Sequence, residues 1–446
     1  AFDCLHNDST TVRFSGRYAE AKGRSIRGKV GPHVTYGFSK DRRRDLKQLL
    51  FILTTTDDGH VPVACRVEAG NTADVTTHRE SWEALRALAG RSDFLYVADS
   101  KLCSTETLEY IARQGGRILT VLPRTRQEDT SFRRWILTHE VPWETLRDRP
   151  GPGGEEGPRD IWRVWRSDLP SIEGWPLTWV DSSMLALKQG HRRQLRIDRA
   201  KQDLEALSAS LASPRSRLRK RSVIHDRLKV ILTKHNVTRY LRVKLDRKDI
   251  HSYRQTGPGR PGPNTAYRRV TKKRYTLAWE VRVDLVERDR IHDGMFPLLT
   301  NDRSLTPAAV FHHYKRQPRL EARFRQVKDP MAIAPVFLKN EGRIEALFFL
   351  YALALLIQAL IERELRLAMK REEIPALPLY PEDRPSRYPT ATQVLRLFAP
   401  LQRHEILADD HPIKTIHPTL SDLQEEVLRL LGVPAASYRR TPAPAS

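Results

Sequence analysis

Apolar and polar positions in the first 124 residues follow a pattern that predicts a mixed α/β fold. The chain opens on the strand-like sequence AFDCLHNDSTT, and the apolar runs 49–56 and 61–67 flank the turn DDGH, which predicts a hairpin. The elements predicted next are a helix from about Thr76, a strand at 94–98, a helix at 104–114 capped by Ser104, and a strand at 117–123. This order predicts a mixed sheet with helices packed on it.

The pattern changes in residues 125–290, which we interpret as an inserted basic α+β subdomain. The predicted strands are 161–166, 175–181 and 275–286, the loops rich in Pro and Gly are 147–158 and 256–264, and two basic helices occupy 185–235 with a break near 213–216.

Helical periodicity dominates after residue 302. Helices are predicted at 307–316, 318–328 and 341–370, before a Pro-rich segment and a helical tail that ends near residue 432. The predicted organisation is a first core part at 1–124, the insertion at 125–290, a second core part at 291–370, and the C-terminal tail at 371–446.

The most apolar segment is Ala346–Ile361, which has 16 residues and one Gln. A helix needs about 20 apolar residues to span a bilayer. The segment therefore favours a buried core helix over a membrane span, and we expect no membrane partner.

Positive charge is strong and unevenly distributed. The chain of 446 residues carries a formal charge of +23. Residues 191–280 contain 25 Lys and Arg against seven Asp and Glu, a local charge of +18. Such a cluster attracts polyanions and favours a nucleic-acid-binding face over an ordinary basic surface.

The three cysteines, Cys4, Cys65 and Cys103, are scattered and have no metal-ligand spacing. An odd number of cysteines in a long chain argues against a disulfide framework and fits a reducing compartment. Because the chain opens within a predicted strand, we also expect further sequence upstream of Ala1.

Three carboxylates are the candidate catalytic residues. Asp8 lies within the first predicted strand, Asp99 ends the strand 94–98, and Glu321 lies on the helix 318–328. Strand ends of such sheets are common ligand sites. If residues 314–328 form one helix with 100° per residue, Glu321 shares a stripe about 60° wide with three polar side chains, Tyr314, Gln317 and Lys328. Pro318 fits best in a first turn, so a helix break is expected near 317.

Other candidates are weaker. Asp3 competes with Asp8, and Asp302 competes with Glu321 but lacks its polar stripe. Asp57 and Asp58 favour a turn. The adjacent pair His312 and His313 could suggest a metal site, but neighbouring residues on a helix point apart. Both are therefore interpreted as surface residues. The tryptophans interpreted as core of the insertion, with stacking of one on a base as the alternative, are Trp162, Trp165, Trp175 and Trp179.

Carboxylates that converge beside a basic subdomain indicate metal-dependent phosphoryl chemistry. Oxygen ligands suit Mg²⁺ or Mn²⁺. Two ions about 3.5–4 Å apart would activate a water or a 3′-hydroxyl and stabilise the leaving oxygen. We therefore expect two Mg²⁺ or Mn²⁺ ions in each site.

Several stretches resemble the signatures of DDE transposases of bacterial insertion sequences. They are LHNDSTT, GFSKDRRRDLKQ (37–48), GNTAD (70–74), VADSKLCS (97–104), YKRQPRLEARFRQVK (314–328) and PLYPEDRPSRYPTA. The likeness covers roughly residues 3–370 and is to the subgroup with a Y-x2-R-x3-E-x6-K motif. Gln317 stands where that motif has Arg, and Lys101 and Cys103 depart from its commoner pattern.

The resemblance implies an RNase H-like mixed sheet flanked by helices, with the large insertion between the second Asp and the Glu. It implies Asp8, Asp99 and Glu321 as catalytic metal ligands. The residues it implies in DNA contact, directly or as neighbours of the motif, are Tyr314, Gln317, Lys328, Arg316, Arg319 and Arg325. It also implies a DNA-end recognition region before residue 1.

The predicted function is metal-dependent cleavage of DNA at element ends, followed by strand transfer to target DNA. The expected partners are element-end and target DNA and a second copy of the chain, in the nucleoid-associated cytoplasm. Two alternatives remain: an RNase H-like nuclease without strand transfer, and an inactive DNA-binding derivative of a transposase.

Overall fold

The computed structural model describes residues 2–18, 23, 25–26, 29–38, 43–328, 336, 338–408 and 411–438. The chain divides into two compact units. The first unit comprises residues 1–123, 168–177 and 298–446, and the second comprises residues 124–167 and 178–297. Part of the predicted signature GFSKDRRRDLKQ, residues 39–42, lies outside the described residues.

The strands of the described residues are, in chain order, β1 (Cys4–Phe14), β2 (Ser25–Ile26), β3 (Lys29–Val30), β4 (Lys47–Thr56), β5 (Pro62–Ala69), β6 (Leu95–Ala98), β7 (Arg117–Val121), β8 (Glu144–Gly151), β9 (Gly154–Arg166), β10 (Leu177–Ser182), β11 (Leu241–Gln255), β12 (Tyr267–Val281), β13 (Met295–Thr300), β14 (His404–Ala408) and β15 (His411–Ile416).

The α-helices in the same part of the chain are α1 (Asp74–Ala89), α2 (Thr105–Arg113), α3 (Gln127–Trp135), α4 (Ser183–Ala212), α5 (Arg221–Lys234), α6 (Val283–Ile291), α7 (Pro307–Lys315), α8 (Gln317–Lys328), α9 (Glu341–Arg371), α10 (Ala391–Phe398) and α11 (Asp422–Leu430). Short 3₁₀ helices cover Ser100–Leu102 and Ala435–Tyr438.

The sheet of the first unit has the strand order β5–β4–β1–β6–β7, followed by residues 298–300 of β13. The pairs β5–β4, β4–β1 and β7–β13 are antiparallel, whereas β1–β6 and β6–β7 are parallel. The sequence-based prediction of a mixed sheet flanked by helices is therefore confirmed. The hairpin β4–β5 and the strands β6 and β7 lie where the pattern predicted them.

Helices cover both faces of this sheet. On one face the side chains of α8 and α9 pack against β1 and β4, in a cluster that includes Phe14, Phe51, Leu320 and Phe348. On the other face α1 and α2 pack against β6 and β7, around Trp82. This three-layer arrangement buries the sheet that carries the candidate acids.

The long helix α9 is buried along one side only. Its inner side joins two hydrophobic clusters, while Phe349 on its outer side is 62% exposed. By length and composition α9 is apolar enough to cross a membrane, and 28% of its most apolar window is buried. Core helices of soluble proteins pass the same test. The predicted buried core helix is thus correct for one face, and the other face is exposed.

The second unit contains the antiparallel strands β8, β9 and β10, with four helices and a long hairpin. Phe132, Trp179 and Trp165 form its aromatic centre, with the rings of Phe132 and Trp179 stacked 3.6 Å apart between centroids. Two of the Trp residues predicted as insertion core thus lie there, and Trp162 is half-buried on β9. Trp175, in contrast, belongs to a cluster of the first unit.

The hairpin β11–β12 is a two-stranded ribbon of 15 residues on each side. Its register opposes like charges, for example Lys248 with Arg274 and Arg254 with Arg268. Most of its side chains are exposed, and the predicted loop 256–264 lies at its tip. The ribbon therefore presents positive charge to solvent on both strands.

Three local predictions were wrong. Residues 147–158, predicted as a loop, form most of the hairpin β8–β9, which turns at Gly153 and Gly154 with positive φ. Residues 283–286, predicted as the end of a strand, begin helix α6. The tail, predicted as helical, also contains the hairpin β14–β15. Pro and Gly mark a turn but do not exclude the strands beside it, which explains the first error. Apolar residues in short runs suit either helix or strand, which explains the other two.

Candidate active site

Asp8 and Asp99 lie on neighbouring strands at the same level of the sheet. Asp8 is in β1, and Asp99 directly follows β6. The parallel register pairs Cys4 with Leu95 and His6 with Val97. Extending that register by two residues places Asp8 beside Asp99, so the sheet itself brings two of the three predicted acids together.

Asp99 also caps the short helix that follows it. Its Oδ1 accepts a hydrogen bond from the backbone N of Lys101 at 2.9 Å. The side chain of Lys101 itself is exposed. Cap formation turns the chain sharply after β6 and leaves the Asp99 side chain 44% exposed at the strand end.

Glu321 reaches the same region because α8 runs along β1. The predicted break is confirmed: α7 ends at Lys315 and α8 begins at Gln317. Gln317 donates to the backbone O of Asn7, and further along α8 the ring of Phe324 contacts Phe51, the strand partner of Thr10. Helix and strand thus run in the same direction.

One helical turn, about 6 Å, separates Gln317 from Glu321. Asp8 follows Asn7 on β1, and the exposed Glu321 therefore lies near the level of Asp8. All three predicted catalytic acids are accordingly gathered beside the central strands β1 and β6, near the carboxyl end of β6.

The pKa of Tyr314 is affected by all three predicted acids. Burial, followed by the charges of Asp99, Glu321 and Asp8, raises the pKa of its hydroxyl to about 12. A negative charge shifts the pKa of a neighbouring phenol only at short range. Tyr314 therefore lies close to the three carboxylates and stays protonated at neutral pH, able to donate a hydrogen bond.

His78 is a site residue that the sequence analysis missed. It is buried on α1, with Nε2 3.9 Å from Oδ1 of Asp99 and Nδ1 3.2 Å from the hydroxyl of Tyr96. These contacts place an imidazole close to Asp99, in the position of an outer partner of a metal-binding carboxylate. A lone His in a helix sequence gave no signal of this role.

Gln317 does not lie where a DNA contact would require it. The residue is 7% exposed, and its Oε1 lies 3.1 Å from Nδ1 of His6 while its Nε2 donates to the O of Asn7 at 2.8 Å. Both ends of the amide are used inside the protein. Its position corrects the predicted phosphate contact: Gln317 fastens α8 to β1.

The remaining predicted DNA-binding residues lie at or near the surface of α8 and its start. Arg316 is exposed and forms an ion pair with Asp57. Arg319 and Arg325 are exposed, and Lys328 is half-buried at the end of α8. Contact of these residues with DNA stays a prediction.

The competing acids are engaged elsewhere. Asp302 pairs with Arg117 at 2.6 Å and accepts hydrogen bonds from Ser304, so it stabilises a turn. Asp3 is exposed and pairs with Arg91 at 3.1 Å. These contacts favour Asp8 and Glu321 as the functional acids.

A second polar cluster lies on the same strand, two residues before Asp8. The buried His6 faces Asp57, with Nε2 3.0 Å from Oδ1, and Cys4 and His313 lie beside them. Burial works against ionisation of Asp57, but the hydrogen bond from His6 and the charge of Arg316 outweigh it and lower its pKa. Asp57 is therefore more than the predicted turn residue, and His313, predicted at the surface, is half-buried here.

The three acids fit divalent metal ions by donor chemistry. Asp8, Asp99 and Glu321 supply carboxylate oxygens, each at least partly exposed, and a protonated Tyr314 adjoins them. Hard oxygen ligands with an open side are what Mg²⁺ and Mn²⁺ require when they also bind a phosphate.

The comparison with protein families agrees with this geometry. The family model described as "Transposase DDE domain" matches residues 3–357, a span that includes β1, β6 and α8. The comparison with curated proteins finds no match. Since the matched span covers well over half of the chain, this protein belongs to the transposase DDE domain family.

Proposed function

We propose that this transposase cleaves DNA at the ends of an insertion sequence and joins the freed 3′-hydroxyls to target DNA. The first step is hydrolysis of a phosphodiester bond, and the second is transesterification. The observation that carries the proposal is the register of β1 and β6, which sets Asp8 beside Asp99, together with the contact of Gln317 with β1, which places Glu321 of α8 near them.

Members of this family generally use divalent metal ions. In this chain Asp8, Asp99 and Glu321 would hold them, and we propose two Mg²⁺ or Mn²⁺ ions. When bound, such ions activate the attacking water or 3′-hydroxyl and stabilise the leaving oxygen.

The protein's own residues would bind and orient the DNA around the acids. The hydroxyl of Tyr314 can donate a hydrogen bond to a phosphate oxygen, because its raised pKa keeps it protonated at neutral pH. Arg319, Arg325 and Lys328 supply positive charge along α8. His78 would hold Asp99 in one orientation throughout.

The basic second unit supports a DNA-binding role. Residues 191–280, with their charge of +18, form α4, α5 and the ribbon β11–β12. Opposed like charges on the ribbon, such as the exposed Arg254 and Arg268, repel each other unless an anion lies between them. A two-stranded ribbon has the width that a DNA major groove admits. We propose that this ribbon contacts the DNA backbone.

The test is cleavage by Asp99→Asn. Removal of one carboxylate charge weakens metal binding, so we expect loss of Mg²⁺- or Mn²⁺-dependent nicking of a supercoiled plasmid. DNA binding, measured by anisotropy with a labelled duplex, should stay within about twofold, because the basic surface is unchanged. The matched control is Asp93→Asn, an exposed carboxylate at the other end of β6. Undiminished nicking by Asp99→Asn would refute the proposed role.

Strand transfer needs a separate assay. Pre-cleaved duplexes that carry the inverted repeats flanking the reading frame are offered with a plasmid target, and joined products are counted. Nicking without joining would identify a nuclease, and metal-independent binding with neither activity would identify an inactive derivative. The expected homodimer would appear as a complex holding two DNA ends.

A further inference from the structure

Four side chains with metal-binding atoms meet at the start of β1, outside the acid triad. Cys4 and His6 come from β1, Asp57 from the turn after β4, and His313 from α7. One ligand atom from each of Cys4, Asp57 and His313 lies within 4.8 Å of the others. These residues are distant in sequence, so the fold creates the cluster.

His6 adjoins two members of this group. Its Nε2 lies 3.7 Å from Sγ of Cys4 and 3.0 Å from Oδ1 of Asp57. In a tetrahedral Zn²⁺ site with Zn–S about 2.3 Å and Zn–N about 2.0–2.1 Å, neighbouring ligand atoms are separated by about 3.3–3.6 Å. The distances from His6 to Cys4 and Asp57 are close to those values, and binding of the ion would draw His313 and His6 closer to each other.

The hydrogen bonds around the cluster orient two of the ligands. Since Nε2 of Gln317 donates to the O of Asn7, its Oε1 faces Nδ1 of His6, which must therefore carry a proton. That leaves Nε2 of His6 directed at the cluster. The second oxygen of Asp57, Oδ2, is taken by Arg316. Metal-binding His and carboxylate groups typically have such outer partners.

We propose that Cys4, His6, Asp57 and His313 form a Zn²⁺-binding site, separate from the carboxylate site. One thiolate, two imidazoles and one carboxylate are a donor set that suits Zn²⁺, whereas the three acids suit Mg²⁺ or Mn²⁺. On binding, Zn²⁺ replaces the thiol proton of Cys4 and the proton shared by His6 and Asp57, and both protons pass to solvent.

Such an ion would have a structural role. It would tie β1, the turn after β4, and α7 together at one point, immediately before α8 begins. The same elements place Asp8 and Glu321. Four protein ligands leave no open position for substrate, as in structural zinc sites. Zn²⁺ would therefore hold the frame of the active site without taking part in the reaction.

The test uses the whole chain, stripped with chelator, reloaded with Zn²⁺ and desalted. We expect one Zn²⁺ per chain by elemental analysis. Reloading with Co²⁺ should give tetrahedral d–d bands and a thiolate charge-transfer band, which requires Cys4 as ligand. The Co²⁺ spectrum of the wild-type chain tests the site even if a variant folds poorly.

Matched variants locate the site. Cys4→Ser and His313→Gln should lower Zn²⁺ affinity by more than about 100-fold, beyond the effect of losing an outer partner. Cys65→Ser and His312→Gln are the controls, because Cys65 lies on β5 and His312 is the exposed neighbour of His313. Both should bind Zn²⁺ like the wild type.

The outcome is independent of the proposed reaction. Asp99→Asn should keep its Zn²⁺ while losing cleavage. If the wild-type chain retains no Zn²⁺ after desalting, or if Cys4→Ser binds it unchanged, the site is refuted, and His6 and Asp57 are then a direct ion pair. Failure of the cleavage assay alone would leave the Zn²⁺ result intact.

Discussion

Asp99 accepts a backbone hydrogen bond and has an imidazole nearby, at 3.9 Å. The backbone N of Lys101 donates to its Oδ1, and His78 stands behind the same oxygen. His78 is in turn held by the hydroxyl of Tyr96, which is fully buried. In the proposed reaction the carboxylate would therefore be positioned before DNA or metal arrives, which avoids the cost of ordering it during the reaction.

Replacement of His78 by Ala should lower the rate of metal-dependent nicking by about 10–100-fold, the usual cost of losing a residue that supports a metal ligand. The Mg²⁺ concentration for half-maximal activity should rise as well, because the Asp99 carboxylate loses its orientation. A Mg²⁺ titration of nicking measures both effects.

The control for His78→Ala is His312→Ala, on the exposed side of α7. If His78→Ala lowers thermal stability but leaves the Mg²⁺ dependence unchanged, the role of His78 is packing alone.

Helix α8 is the element that decides where Glu321 lies, and it is fastened on both sides of that residue. Before Glu321, Gln317 bonds to Asn7 and His6. After it, Arg323 donates to the backbone O atoms of Gly59 and His60 and pairs with Glu362 of α9 at 3.0 Å. A short helix with Pro at its second position depends on such contacts for its position.

The pair of Arg323 and Glu362 is buried, with each side chain 5% exposed. Glu362→Gln would leave the Arg323 charge uncompensated in the interior. We expect a loss of about 3–5 kcal/mol in the free energy of unfolding. Urea denaturation followed by circular dichroism measures it.

Glu364→Gln is the matched control two residues away, since Glu364 is half-exposed and pairs, in the described contacts, with the partly exposed Arg363. Its effect should stay within about 0.5 kcal/mol. Equal losses in the free energy of unfolding for both variants would show that the buried ion pair stabilises the protein no more than the exposed one.

At the scale of the molecule, positive charge is concentrated in the second unit, whereas the candidate acids lie in the first. Each unit has its own hydrophobic core. The candidate acids and most of the positive charge thus belong to units with separate hydrophobic cores. Substitutions in the ribbon should therefore affect DNA binding without disturbing the acids.

Replacement of four exposed ribbon residues, Lys248, Arg254, Arg268 and Lys272, by Gln should weaken duplex binding. Each replaced side chain that binds a phosphate in the wild type should reduce the slope by about 1 when the logarithm of the DNA-binding constant is plotted against the logarithm of the salt concentration. Anisotropy titrations at several salt concentrations measure the slope.

The control variant carries Gln at four exposed basic positions of the first unit, so that its net charge equals that of the ribbon variant. These positions are Lys370, Arg384, Arg396 and Lys414. An equal reduction of the slope in both variants would show that binding follows net charge and not the ribbon.

The sequence by itself determined the strands β4, β5, β6 and β7 and the helix break before α8, because periodicity and turn chemistry are local properties of the chain. It also predicted Asp8, Asp99 and Glu321 as the catalytic acids. The tertiary structure alone decided what surrounds those acids. His78 reaches Asp99, Gln317 reaches Asn7 and His6, and Cys4, Asp57 and His313 meet, across separations of up to 311 residues. Single residues at such separations leave no periodic signal, since only packing of α1, α7 and α8 onto the sheet brings them together.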